Sequence, residues 1–201
     1  MAPRVDKEQR RKEIAIACVD LIYEVGIKNL TVAQVAQVAG IGKGTIYEYF
    51  ENKDDIVFEI MNIHIEENHK QFLETIQTIQ STKEKIFLCF KFVLDDSVEN
   101  IKHFNGYKEY LSIVLSDEND VMCEFNGSCK EFFNFQLRKI IQDGIDKNEL
   151  IPQAMSLAEG LLVFEKGLAL LKMSEKNFDA KNIGESFLNN LWELIEVKND
   201  K

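Results

Sequence analysis

At 201 residues the chain suits one large domain, or a small domain joined to a larger one. Apolar residues make up 45% of it, whereas Pro occurs twice and Gly ten times, and this scarcity of helix breakers predicts an all-helical protein. The formal net charge of −10 argues against a nucleic-acid partner when the chain is taken as a whole.

The charge is unevenly distributed, however. Residues 1–53 carry eight basic and seven acidic side chains, a balance of +1, so the remainder carries −11. This asymmetry suggests a nearly neutral head and an acidic body with separate tasks. The N-terminal residues lack the apolar run of a signal peptide, and no apolar segment approaches 18 residues, so we expect a soluble cytoplasmic protein.

The head contains three predicted helices. Apolar residues at helical spacing predict the first helix over 14–25, closed by a glycine. Thr31, with Gln34 three residues later, forms a capping box that opens a short second helix. A glycine turn at 40–42 then leads into a third helix over 43–49. Two short helices joined by a tight turn predict a helix-turn-helix.

The body is predicted to be helical as well. Asn52 caps a long helix that extends to residue 79 and tethers the head to the body. No alternation of apolar and polar residues predicts a strand. Further helices are predicted at 83–100, 104–116, 121–146, 155–174 and 181–197.

The stretch GIGKGTIYEYFENKDD, which begins at Gly40, contains glycine, lysine and threonine in an order that could cradle a phosphate. A nucleotide-binding loop needs GxxxxGK[ST] after a strand, but here Lys43 precedes Gly44 and a helix comes before the loop. The GxGxxG pattern fails too, because Thr45 occupies its last position. A DNA backbone fits better, because the second helix of a helix-turn-helix enters the major groove with its N-terminal residues toward the bases.

The segment LTVAQVAQVAGIGKGTIYEYFENKDDI resembles the DNA-binding segment of the tetracycline-repressor (TetR) family. Members of that family have a threonine, an Ile/Val-Ala pair, Ala-Gly-Val/Ile, a Thr-Leu/Ile-Tyr triplet, an aromatic residue or His before a Phe, and a Lys three residues after that Phe. The matching positions are Thr31, Val35, Ala36, Ala39, Gly40, Ile41, Thr45, Ile46, Tyr47, Tyr49, Phe50 and Lys53.

The resemblance implies an all-α fold with a helix-turn-helix DNA-binding domain at 1–53 and a helical effector-binding and dimerisation domain at 54–201. The residues expected to touch DNA are Thr31, Lys43, Gly44, Thr45, Tyr47, Glu48, Tyr49 and Lys53. Lys43, Gly44 and Glu48 are our candidates for base contacts, although Glu48 could equally be a solvated surface residue. Arg4, Arg10 and Arg11 either follow the DNA or form a solvated tail.

One position departs from the family pattern. Gly42 stands where the family commonly has the serine that caps the recognition helix. Glycine caps slightly less well and offers no hydroxyl to a phosphate. The motif survives, but one DNA contact is in doubt.

A single helix-turn-helix reads few base pairs, so we expect a two-fold dimer on a palindromic operator. The resemblance implies an interface built from the last two helices, whose apolar stripes could otherwise be ordinary core. The residues assigned to it are Leu157, Leu161, Phe164, Leu168, Phe187, Leu191 and Leu194.

The middle of the body is rich in aromatic residues, where members of the family hold a small-molecule pocket. We expect a small hydrophobic effector there, bound at Phe104, Tyr107, Tyr110, Phe132 and Phe133. Glu109 is a further polar candidate, and a Phe-rich core without ligand is the other interpretation. An effector that favours the released form would shift the protein off its operator.

Another class of function stays open on the sequence. The head could hold DNA while the acidic body docks a protein partner, which would make the chain an architectural or adaptor protein. His64 and His69, five residues apart on a helix, point in different directions and predict no metal site. No catalytic or cofactor-binding motif is present, so we expect neither an enzyme nor a cofactor.

Overall fold

The computed structural model describes residues 6–114 and 120–198. Within these ranges the chain forms helices and no β-strand. One isolated antiparallel bridge joins Leu150 to Glu196. The prediction of an all-α fold is confirmed. The chain forms two compact units: Met1–Leu73 with Lys102–Met122, and Glu74–Ile101 with Cys123–Lys201.

The first unit is built on the helix-turn-helix. Its helices are α1 (Lys7–Ala17), α2 (Val19–Val25), α3 (Val32–Val38), α4 (Lys43–Tyr49), most of α5 (Lys53–Thr78) and most of α8 (Val98–Val114). The helix α4 packs on α1 and on α3. The core of this unit includes the buried aliphatic residues Ile14, Ile22, Val35, Ile46 and Ile60.

The second unit holds the remaining helices. These are α6 (Thr82–Cys89), α7 (Lys91–Leu94), most of α9 (Asp120–Asp146), a 3₁₀ segment (Pro152–Leu157), α10 (Ala158–Ser174) and α11 (Ala180–Ile195). The helices α7, α10 and α11 pack against one another. Leu161, Leu168 and Leu188 lie in the core that they form.

Two helix predictions are wrong in instructive ways. The first helix is interrupted at Cys18, which adopts φ −102° and ψ 3° and separates α1 from α2. The predicted helix over 83–100 breaks at Phe90 and again before Val98. The Asn100 side chain donates to the carbonyls of Phe92 and Asp95 at 2.8 and 2.7 Å, and such local bonds compete with helix formation.

Candidate nucleic-acid interface

Helix α4, the third helix predicted for the head, presents one face to the core and the other to solvent. Helix α4 spans Lys43–Tyr49, as the sequence predicts. Ile46 and Phe50, four residues apart, are 0% and 1% exposed, so they fix this short helix against α1 and α3. Its opposite face is left available for a partner.

A glycine makes the sharp turn between α3 and α4. Gly40 has φ +67°, a conformation that costs other residues free energy. Its N–H donates to the carbonyl of Gln37 at 3.3 Å, and the N–H of Ile41 donates to that of Ala36 at 3.0 Å. This pair of bonds is a Schellman motif, which satisfies the last carbonyls of α3 and directs the chain into α4.

The side chains predicted to meet DNA from α4 lie at the surface. Lys43, Gly44 and Glu48 are exposed, and Tyr47 is 54% exposed. Thr45 and Tyr49, the other two predicted DNA contacts on α4, are partly exposed. An exposed tyrosine ring beside a lysine and a hydroxyl is a set of donors suited to phosphate oxygens.

Two other predicted DNA contacts are engaged within the protein. Thr31 Oγ1 accepts from the N–H of Gln34 at 3.3 Å, and the Gln34 side chain accepts from the Thr31 N–H at 2.8 Å, which confirms the capping box. Lys53 Nζ donates to the carbonyl of Lys28 at 2.9 Å. A DNA contact by Lys53 therefore requires that this bond be exchanged.

A carboxylate on α8 binds backbone N–H groups of the loop before α3, a contact that the sequence does not suggest. Glu109 Oε2 accepts from the N–H of Ile27 at 2.6 Å and from that of Lys28 at 3.3 Å. Gly26, at φ +78°, makes room for this carboxylate, because a Cβ there would lie 2.8 Å from Glu109 Oε1. The Glu109 carboxylate, considered above as an effector contact, binds the backbone of this loop in the head instead.

The N-terminal arginines differ from one another. Arg4 lies outside the described residues. Arg10 forms an ion pair with Glu13 at 2.6 Å on the surface of α1. Arg11 turns inward and binds Asp55 and Glu59, so it is neither a DNA-following arm nor a solvated tail.

Gly42 is the N-cap of α4, and a side chain would fit there. Its φ of −68° and ψ of 145° suit any residue, and an added Cβ would lie 3.6 Å from Thr45 Oγ1, an ordinary contact. We expect Gly42→Ser to stabilise the fold by about 0.3 kcal/mol, because serine caps better than glycine. A hydroxyl that also reaches a phosphate should raise DNA affinity about threefold, measured by titration of labelled duplex.

Gly42→Ala is the matched control, because it adds the Cβ without the hydroxyl. If the serine variant bound DNA no better than the alanine variant, the family's capping hydroxyl would have no counterpart at this position.

Two stacked histidines lie in the first unit. The rings of His64 and His103 are parallel at 5.2 Å, and the Tyr23 ring meets both edge-on. The Nε2 atom of His64 is 2.9 Å from the amide nitrogen of Asn68. Burial, reinforced by the nearby His103, lowers the pKa of His64 to about 4.

This depressed pKa makes stability fall in mild acid. The unfolded chain binds a proton at His64 with a pKa near 6.5, whereas the folded chain resists it until pH 4. The stabilisation is complete above pH 6.5 and is lost as the pH falls toward 4, by about 2 kcal/mol at pH 5. Thermal unfolding from pH 7.5 to 4.5 should be less pH-dependent for His64→Phe than for the wild type. An equal pH dependence of the melting temperature in the two proteins would contradict the assignment of this effect to His64.

The residues predicted to bind an effector fall into both units. Phe104, Tyr107 and Tyr110 follow one another on α8, with ring centroids 6.5 and 6.2 Å apart, and Phe104 and Tyr110 are buried. Phe132 and Phe133 contact each other edge-on at 5.2 Å on α9. Their convergence on one pocket stays a prediction.

The second unit also has a shallow surface groove of about 350 Å³ that the predicted effector set does not include. It is lined by Ile79, Glu84, Phe87, Leu88, Lys91, Leu94 and Asp95.

The residues assigned to the dimer interface divide between core and surface. Leu161 and Leu168 are buried within the subunit, and Leu157, Phe164 and Leu191 are half-buried. Phe187 and Leu194 are 41% and 75% exposed. Other exposed apolar residues on the same two helices are Val163, Leu170, Leu171 and Ile183.

Within residues 6–114 and 120–198, no group of three or more His, Cys, Asp or Glu side chains is arranged to hold a metal ion. In the same ranges no helix is both long and apolar enough to cross a membrane.

Relatives of the chain are bacterial regulators. Residues 17–60 match the family model described as "Bacterial regulatory proteins, tetR family". The chain is 34% identical over 161 residues to the fatty acid metabolism regulator protein of Bacillus subtilis (strain 168), an alignment covering 78% of this chain and 69% of that protein. It is 22% identical over 164 residues to an HTH-type transcriptional regulator of Staphylococcus aureus (strain USA300), covering 81% and 85%.

Solved structures share the fold. A TetR-family transcriptional regulator from Cytophaga hutchinsonii superposes with a TM-score of 0.77 at 20% identity, covering 96% of this chain and 98% of that one. The transcriptional regulator FadR from Bacillus subtilis, in complex with stearoyl-CoA, superposes with a TM-score of 0.57 at 22% identity, covering 88% and 95%.

Proposed function

Because the chain belongs to the TetR family of bacterial regulatory proteins, we propose that this DNA-binding transcriptional regulator is a repressor released by a fatty acyl-CoA. It occupies a palindromic operator as a homodimer, in the cytoplasm at the nucleoid. The observation that carries the DNA-binding part is the solvent face of α4, where Lys43, Tyr47 and Glu48 project from a helix whose other face is buried.

On DNA, some residues of α4 contact phosphates and others contact base edges. Thr45, Tyr47 and Tyr49 donate to phosphates and fix the register of the helix. Lys43 and Gly44, at the N-terminal end of α4, and Glu48, near its C-terminal end, approach base edges. Thr31 and Lys53 join the phosphate contacts once their intramolecular bonds are exchanged. The head is nearly neutral overall, so the few cations beside the groove determine the salt dependence.

Dimerisation uses the exposed apolar stripe of α10 and α11. Val163 and Leu170 are 65% and 58% exposed and share a face of α10, because seven residues separate them. Gly160 and Gly167 lie on that face too, with no atom within 4 Å of an added Cβ, so a second helix can approach closely. Apolar side chains this exposed on neighbouring helices mark an interaction site.

The effector class follows from the relatives. The 34%-identical relative is a fatty acid metabolism regulator, and a structural neighbour binds stearoyl-CoA. The aromatic residues of the predicted effector set suit an acyl tail, and two of them, Phe104 and Tyr110, are buried on α8. To turn a nearly full operator into a nearly empty one, the effector must favour the released form by about 10⁴-fold.

Stearoyl-CoA, free CoA and free stearate, titrated separately into the complex of protein and operator duplex, test this proposal. Release by stearoyl-CoA alone is the expected result. Should none of the three release the DNA while the duplex remains specifically bound, the effector class is wrong but the DNA-binding function stands.

A further inference from the structure

The Arg11 side chain connects three helices of the first unit. It lies on α1, and its Nη1 donates to the carbonyl oxygen of Tyr49 at 2.7 Å, the last residue of α4. Nη1 and Nη2 bind the Asp55 carboxylate at 3.0 and 2.7 Å, and Nη2 also reaches Glu59 at 3.1 Å, both on α5. The guanidinium carbon lies 4.6 Å from the centre of the Phe50 ring.

These ion pairs are partly shielded from water. The side chains of Arg11, Asp55 and Glu59 are 22%, 23% and 13% exposed. Partial burial raises the pKa of Asp55, but hydrogen bonds from Arg11 and from the Glu51 N–H hold that pKa below its ordinary value. Asp55 therefore stays charged, and it holds the turn between α4 and α5 as well as the arginine.

Helix α4, the recognition helix, depends on neighbouring elements for its stability. It has seven residues, begins at a glycine that makes no side-chain cap, and includes Gly44. A helix this short is not stable alone, so neighbouring elements determine its orientation. Ile46 and Phe50 anchor its inner face, and Arg11 is the cation at its C-terminal carbonyl, where a positive charge is favourable.

We propose that Arg11 is a positioning residue for DNA recognition. It sets the orientation of α4 through Tyr49 and Asp55, and it makes no contact with DNA itself. Only the planar guanidinium can bind a carboxylate in two places while donating to a carbonyl, so lysine should not replace it. Base contacts tolerate little displacement, whereas non-specific phosphate contacts tolerate more.

Arg11→Lys and Arg10→Lys make the same chemical change at neighbouring positions of α1. Operator affinity, non-operator affinity and the salt slope should be measured at a temperature where each variant is fully folded, using the duplex that the wild type selects from random DNA. We expect Arg11→Lys to weaken operator binding by about tenfold, comparable to the loss of one base contact over the whole dimeric complex. Its non-operator affinity and salt slope should match the wild type, and Arg10→Lys should bind within twofold of it.

Arg11→Gln, Asp55→Asn and the double variant test whether the pair acts as one unit. The double variant should bind the operator no more weakly than the weaker single variant, because both singles break the same network. Equal losses on operator and non-operator DNA with a reduced salt slope would make Arg11 a direct phosphate contact. A lowered melting temperature with unchanged operator affinity would make it structural only, and either result overturns the proposal. Absence of operator binding by the wild type would instead reject the DNA-binding function.

Discussion

Tyr47→Ala should weaken operator binding by about 10²-fold, because each half-site loses a charge-assisted hydrogen bond and the ring that aims it. Tyr47 is 54% exposed and contributes little to the core, so the variant should fold normally. Ile46 and Phe50 remain to hold α4 in place. Titration of a labelled duplex at fixed salt measures the loss, and thermal unfolding verifies the fold.

Tyr47→Phe separates the hydroxyl from the ring. It should lose most of the affinity if the hydroxyl meets a phosphate, and little if the ring only packs on the DNA. Operator binding by Tyr47→Ala at wild-type strength would show that the solvent face of α4 is not the DNA-reading surface.

Leu194→Asp should convert the dimer into a monomer and reduce operator binding by at least about 10²-fold. Leu194 is 75% exposed on the proposed interface, and two-fold symmetry places two copies of each side chain in the same interface. A carboxylate buried there without a partner costs several kcal/mol. A monomer also loses the gain from binding two half-sites together. Analytical ultracentrifugation gives the oligomeric state, and duplex titration gives the affinity.

Asn189→Asp introduces the same charge on an exposed part of α11 away from the apolar stripe, and it should leave both dimer and affinity unchanged. A Leu194→Asp protein that remained dimeric would remove α11 from the interface.

The local features of the head could be predicted from the sequence because their signals are local. The capping box at Thr31, the bounds of α4 and the cap at Asn52, whose Oδ1 accepts from the Asp55 N–H at 2.9 Å, each depend on residues a few positions apart. Residue types with a specific conformational preference determine such features, so the pattern and the structure agree.

Contacts between residues distant in the sequence could not be predicted. Arg11 and Asp55 are 44 positions apart, and Glu109 is 82 positions from the amide that it accepts from. Nothing in a charged N-terminal stretch distinguishes Arg11 from Arg10, since only the packing of α1 on α4 decides which one points inward. Lys53 is a similar case, because a basic residue after the recognition helix gives no sign that it binds a carbonyl.

The dimer interface illustrates another limit. Helix α10 carries apolar residues around most of its circumference, so periodicity does not separate core from surface. The sequence favoured Leu161 and Leu168, which the structure buries, over Val163 and Leu170, which it exposes. Only the position of α11 and α7 beside α10 makes that distinction.

Selection of duplexes from a random pool by the wild-type protein tests the central claim most directly. The proposed function predicts a recovered sequence with two inverted half-sites, spaced about 10 base pairs or a multiple from centre to centre. Each duplex should bind two protomers, and stearoyl-CoA should release both. Recovery of no enriched sequence at low or moderate salt would contradict the assignment of this chain as an operator-binding regulator.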